Sequence, residues 1–175
     1  MVCDHRKRFL DLVIRYPGSA HDSRIWRECA LGRAMEASRW PNCFILGDSA
    51  YPQKIFLMTP YQDPGSDMEI NYNRVHAITR SQIEQTFGIC KRRFALMKTG
   101  TRVRSMSKAA REITACCLLH NFGIDEGDLM PEEPGDIPVT ECEQPLQHNE
   151  EQGVHLGRAM RDQISRSMYN RHHIN

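Results

Sequence analysis

Asp22, Asp48 and Glu84 are carboxylates in sequence contexts that suit a divalent cation, the last two separated by 35 intervening residues. Asp48 follows a short apolar run in Leu46-Gly47-Asp48-Ser49, and Glu84 lies in Gln82-Ile83-Glu84-Gln85-Thr86-Phe87-Gly88. The chain then turns basic in Cys90-Lys91-Arg92-Arg93-Phe94. Carboxylate oxygens are the hard ligands that Mg²⁺ or Mn²⁺ prefers, and cations beside them hold phosphates. These are the parts that metal-dependent cutting of a phosphodiester backbone needs. Singly, each carboxylate also has a plainer reading. Asp48 fits a turn, Asp22 fits a helix cap, and Glu84 fits a solvated position at the margin of an apolar stripe.

The elements that must position them can be read from the pattern. Arg8 to Arg15 has the look of a strand closed by the Tyr16-Pro17-Gly18-Ser19 turn, with Met1 to Asp4 as the end of a preceding strand and His5-Arg6-Lys7 as the hairpin connection. A helix is expected from Asp22 to Leu31, capped by Ser19 or Asp22. Cys43 to Leu46 reads as a buried strand that delivers Asp48 to its carboxyl end, where open sheets bind ligands. Gly47 is expected to free the backbone there. Thr59 to Asn73 reads as a loop, followed by a long helix from Arg74 to Met97. Ile83, Phe87, Cys90, Phe94 and Met97 form its apolar face, and Arg80 and Lys91 share the side of Glu84. Further helices are expected over Ser107–Asp125 and from Gly153 to Tyr169. Residues 1–128 thus form the main domain, 129–152 an acidic disordered linker, and 153–175 a short basic helical tail.

Charge is divided along the chain. From Arg74 to Arg111 there are ten Lys and Arg against one Glu, and from Glu112 to Glu151 eleven Asp and Glu with no Lys or Arg. A net charge of +1 therefore conceals a polyanion-binding stretch and an acidic one. Seven cysteines do not read as a secreted disulfide framework, and Cys116-Cys117, adjacent on an apolar helical pattern, read as buried reduced thiols of an intracellular protein. Other chemistries lack their motifs. There is no paired Cys-x-x-Cys zinc spacing, no phosphate loop ending in Lys-Ser/Thr, and no serine nucleophile elbow. His21, His76 and His120 are ligand or base candidates, of which His120 better fits a buried hydrogen bond.

Five segments in order resemble the PIF/Harbinger transposases and the nucleases domesticated from them. They are Tyr16–Arg24, Leu46–Pro52, Leu57–Tyr61, Tyr72–His76 and Ile83–Gly88, with Ala115–Phe122 similar to that family's closing helix. The resemblance implies an α/β, RNase H-like fold with a mixed sheet flanked by helices. It also implies a DDE-type metal site binding Mg²⁺ or Mn²⁺. The family's second aspartate falls on Asp48, its glutamate on Glu84, and the aspartate of its Pro-Gly-Ser-x-x-Asp motif on Asp22. Arg80, Lys91, Arg92 and Arg93 would then hold DNA phosphates. The family's first aspartate lies in an Ile-Asp-Gly/Cys-x-His motif that this sequence lacks, so the domain is expected to be truncated at its N-terminus. A Myb-like DNA-binding partner and a nuclear location, with the cytoplasm as alternative, are further implications. The competing reading is a non-enzymatic DNA- or protein-binding fragment.

Overall fold

In the computed structural model, residues 1–16, 21–103, 105–128, 130 and 153–172 are described. Two pairs of short strands are each followed by helices: β1 (Val2–Cys3), β2 (Phe9–Asp11), α1 (Asp22–Glu28), α2 (Ala30–Glu36), β3 (Ile45–Leu46), β4 (Leu57–Met58), α3 (Asp67–Arg93), α4 (Ala95–Thr99), α5 (Met106–Asp125) and α6 (Gly153–His172). The result is a mixed α/β chain with two small sheets, β1 antiparallel to β2 and β3 parallel to β4. Two units emerge, Met1–Ala20 with Ser81–Val139, and His21–Arg80 with Thr140–Asn175.

The first unit is built on the β1–β2 hairpin. Asp4 organises its connection, its Oδ1 accepting the N–H groups of Arg6 and Arg8 at 2.9 and 3.0 Å. Lys7 takes the left-handed conformation that closes the turn, with φ at 64°. Phe9, Cys90, Cys116 and Cys117 form the buried centre, with Ile83, Phe87, Phe94, Met97 and Ile113 packed on it. The apolar stripe read along the sequence is therefore the stripe that is used. Asn121 holds the outer edge of β2, its Oδ1 accepting from Phe9 N and its Nδ2 donating to Phe9 O, both at 2.8 Å. An asparagine side chain thus occupies the place of a neighbouring strand. His120 lies beside it, fully buried, with Nε2 2.8 Å from Lys7 O and its ring 5.4 Å from that of Phe9.

The second unit gathers around β3 and β4. Trp26 of α1 is buried against the rings of Tyr51 and Phe56, at 6.4 and 6.2 Å. Gln53 links strand to helix. Its Oε1 accepts from Thr59 N and Oγ1, both at 2.9 Å, and its Nε2 donates to Gly157 O at 3.0 Å. The α6 backbone comes so near at Gly157 that a Cβ there would stand 2.7 Å from the Lys54 carbonyl carbon. Farther along α6, Arg161 donates to Pro60 O at 3.0 Å and stacks over the Tyr61 ring at 3.8 Å. Tyr61 in turn donates to Asp162 at 2.7 Å. Burial, with help from that bond, pushes the Tyr61 phenol up to about 12.

Several boundaries differ from the sequence reading. The β2 strand covers Phe9–Asp11 rather than Arg8–Arg15, and β3 is Ile45–Leu46 rather than Cys43–Leu46. The parallel partner β4 falls in a segment whose two buried residues carry no alternation to announce a strand. The first helix breaks at Cys29, whose extended backbone ends α1 and opens α2. Its Sγ donates to Trp26 O at 3.2 Å and accepts from Gly32 N at 3.1 Å. Asp22 is the first residue of α1 and not its cap; the cap position is His21, which makes no side-chain bond there. Ser19 lies outside the described residues. The loop expected up to Asn73 is already helical from Asp67, because Ser66 and Glu69 form a start signal. Glu69 N donates to Ser66 Oγ at 3.3 Å, while the Glu69 carboxylate accepts from Gly65 N at 2.7 Å. At the other end Phe94 leaves helical geometry, with φ at −123°, and separates α3 from α4. The acidic segment 129–152 falls outside the described residues apart from Met130.

Candidate metal centre and nucleic-acid interface

Asp48 stands two residues past β3, at the carboxyl end of the parallel pair. Gly47 N donates to Met58 O at 2.9 Å as the last rung, and the chain then turns. In that turn Asp48 Oδ1 accepts from Ala50 N at 2.9 Å, and its carbonyl accepts from Tyr51 N at 3.2 Å. One carboxylate oxygen is thereby pinned, which fixes the plane of the half-buried group. Turn residue and ligand are compatible roles, since the second oxygen is not used in this turn. Gly47 is required for space and not for backbone freedom. Its φ is not among the positive ones, while a Cβ there would lie 3.0 Å from the Tyr51 ring.

Beneath this strand end lies His76 of α3, buried, with Nε2 3.1 Å from Met58 O. Burial holds its pKa below the ordinary histidine value, partly offset by backbone partners at Met58 and Gly47. A neutral ring fastened to the ends of β3 and β4 is a support for the Asp48 turn and not a base facing substrate. Tyr72, one helical turn earlier, is also buried and stacks on His76 at 5.8 Å between centroids. The signal for this support was the Tyr72, His76, Arg80 spacing, which sets three polar-tipped residues on one side of α3.

Glu84 is half-buried on α3 beside the stripe residues Ile83 and Phe87, one turn after Arg80. Lys91 is exposed and Arg92 half-buried on the same helix. Arg93 behaves differently. Its side chain is 11% exposed, and its guanidinium pairs with the Asp128 carboxylate at 3.3 Å and donates to the Asp128 carbonyl. It also fills the space that a Cβ at Gly123 of α5 would take. Arg93 thus ties α3 to the end of α5.

Asp48 belongs to the second unit and Glu84 to the first, and Asp22 opens α1 with a side chain outside the described set. Among the described residues, no three His, Cys, Asp or Glu side chains gather in a way that could hold a metal ion. Asp48 has the geometry of one ligand, but the described carboxylates do not by themselves make a metal site.

The family model described as DDE superfamily endonuclease matches residues 1–121. The chain belongs to that family. All three carboxylates fall inside the matched span, and the resemblance to Harbinger transposase-derived nucleases holds. The human protein named "Putative nuclease HARBI1" is 34% identical over 129 residues, 73% of this chain and 37% of that protein. Its rat counterpart is 31% identical over 154 residues, 87% of this chain and 43% of the relative. An Arabidopsis thaliana protein named "Protein ALP1-like" is 28% identical over 141 residues, 73% of this chain and 35% of its own. The chain spans about two-fifths of the length of the curated relatives it matches. No solved structure matches it. No helix among the described residues is long and apolar enough to cross a membrane.

Proposed function

We propose that this chain contributes part of the catalytic centre of a transposase-derived, metal-dependent DNA endonuclease. In this reading the fold is RNase H-like, and Asp48, Glu84 and Asp22 are its ligands for Mg²⁺ or Mn²⁺. The observation that carries it is Asp48, oriented by its turn at the carboxyl end of a parallel strand inside a matched endonuclease family. A bound cation would supply a water nucleophile at neutral pH and charge for the leaving oxygen. The residues of this chain do the rest. The Ala50 N–H and the Tyr51 turn hold the Asp48 carboxylate, His76 braces the strand ends, and Lys91, Arg92 and Arg80 receive phosphates. Arg93 supports the fold from its pairing with Asp128. A further carboxylate, from a strand outside this sequence, would complete the set. A Myb-like partner and a nuclear location belong to the same proposal.

The test is Mn²⁺ binding followed by electron paramagnetic resonance, alongside plasmid cleavage. Weak Mn²⁺ binding that is lost in Asp48→Asn and in Glu84→Gln is expected, with cleavage by the isolated chain at background. Equal Mn²⁺ binding by wild type and both variants would remove these carboxylates from any metal site. The second reading, a binding module without catalysis, rests on the basic stretch from Arg74 to Arg111, with ten Lys and Arg against one Glu. It requires DNA affinity that falls with salt and ignores metal.

A further inference from the structure

Helix α5 carries two apolar stripes, and the first unit uses one of them. Cys116, Cys117, His120 and Ile124 are buried, with Ile113 packed on the core. Ala115, Leu118, Leu119 and Phe122 face outward, the last three being 59%, 55% and 62% exposed. At about 100° per residue these four lie within one sector of roughly 100°, the width of a helix face built to be covered. The same sector includes Arg111 toward the helix start and Glu126 at its C-cap, both exposed.

Positions along this face pair about one midpoint with residues of complementary size and charge. Around the midpoint between Leu118 and Leu119, Ala115 reflects onto Phe122 and Arg111 onto Glu126. A second α5 laid antiparallel would set each leucine against the other kind, the small Ala115 against the large Phe122, and a cation against a carboxylate at both ends. Antiparallel pairing also opposes the two helix dipoles. A two-fold axis requires this kind of self-complementarity, because each contact occurs twice. We propose that this face is the contact between two copies of the chain, which associate as a homodimer through antiparallel α5 helices. The inference is independent of the metal reading, as it uses neither Asp48 nor Glu84. One helix face is smaller than the about 1,600 Å² of a standard interface, so a weak, concentration-dependent dimer is expected.

Sedimentation velocity of the full chain across the micromolar range tests it. Wild type is expected to shift from monomer to dimer with concentration, and Leu118→Asp to remain monomeric with an unchanged circular dichroism spectrum. Arg111→Glu and Glu126→Arg each alter both symmetry-related charge pairs and are each expected to weaken association about tenfold, roughly threefold for each exposed pair. The double variant Arg111→Glu/Glu126→Arg is expected to regain wild-type affinity, which a merely destabilised fold would not do. A wild-type chain that is monomeric throughout would overturn the proposal and assign the face to another partner. Dimers unaffected by Leu118→Asp, or single charge reversals without rescue, would overturn it as well.

Discussion

Asn121 and His120 show how much of the first unit rests on single polar side chains. The Asn121 amide satisfies both backbone groups of Phe9, so an alanine there leaves a donor and an acceptor of β2 without their partners. Asn121→Ala is expected to cost about 1–3 kcal/mol in a denaturant melt; an unchanged midpoint would mean that water replaces the amide freely. His120 and His76 are both buried with their pKa held below the ordinary value, burial being the main cause in each. The unfolded chain therefore binds protons at a higher pH than the folded one does. Stability should be flat above about pH 7 and fall as pH drops through about 6.5, where unfolded histidine takes up its proton. Thermal melts between about pH 7.5 and 5.5 check this, and His120→Gln should reduce the slope. Cys90, raised by its hydrogen bond with Cys117 and by burial, stays a thiol throughout.

At the scale of elements, short strands depend on helices for their definition. Neither two-residue strand of the second unit would persist alone, since an isolated pair of strands is marginal in water. The β4 strand is held by His76 of α3 on Met58 O and by α6, through Gln53, Gly157 and Arg161. Gly157 is the closest approach, where a Cβ meets the Lys54 backbone, which cannot swing aside as a side chain can. Gly157→Val is expected to lower the melting temperature by several degrees, corresponding to about 1–3 kcal/mol of overpacking. A variant that melts with wild type would show that α6 is dispensable to β4. The Cys29 corner is the opposite case, a break made by the chain itself, with one thiol serving both helices.

At the scale of the molecule, ten Lys and Arg against one Glu between Arg74 and Arg111 make a basic stretch that runs through the matched family span. Binding to duplex DNA should weaken steeply with salt, log affinity falling by about 0.9 for each phosphate contacted per log unit of salt. Replacing Lys91 and Arg92 together by Gln is expected to flatten that slope by about 2, whereas Arg93→Gln should act through stability and leave the slope alone. Fluorescence anisotropy at several salt concentrations separates the two. Equal slopes for wild type and the double variant would reduce this stretch to a solvated face.

The sequence alone determined what depends on local period and local motif. The stripe from Ile83 to Met97, the hairpin at Met1–Arg8, the span of α5, and the helix from Gly153 were all legible, because each repeats a pattern that neighbours along the chain enforce. The family was legible too, since its motifs are short and ordered. What the tertiary structure decided were the features that need partners far along the chain. Strand β4 exists because β3 lies beside it, and Asn121 replaces a strand 112 residues away from Phe9. Arg93 looked like Lys91 and Arg92, and its packing against Gly123 and Asp128 sets it apart from the exposed Lys91. Charge and residue type are written in the sequence, but the partner of a charge is set by the fold.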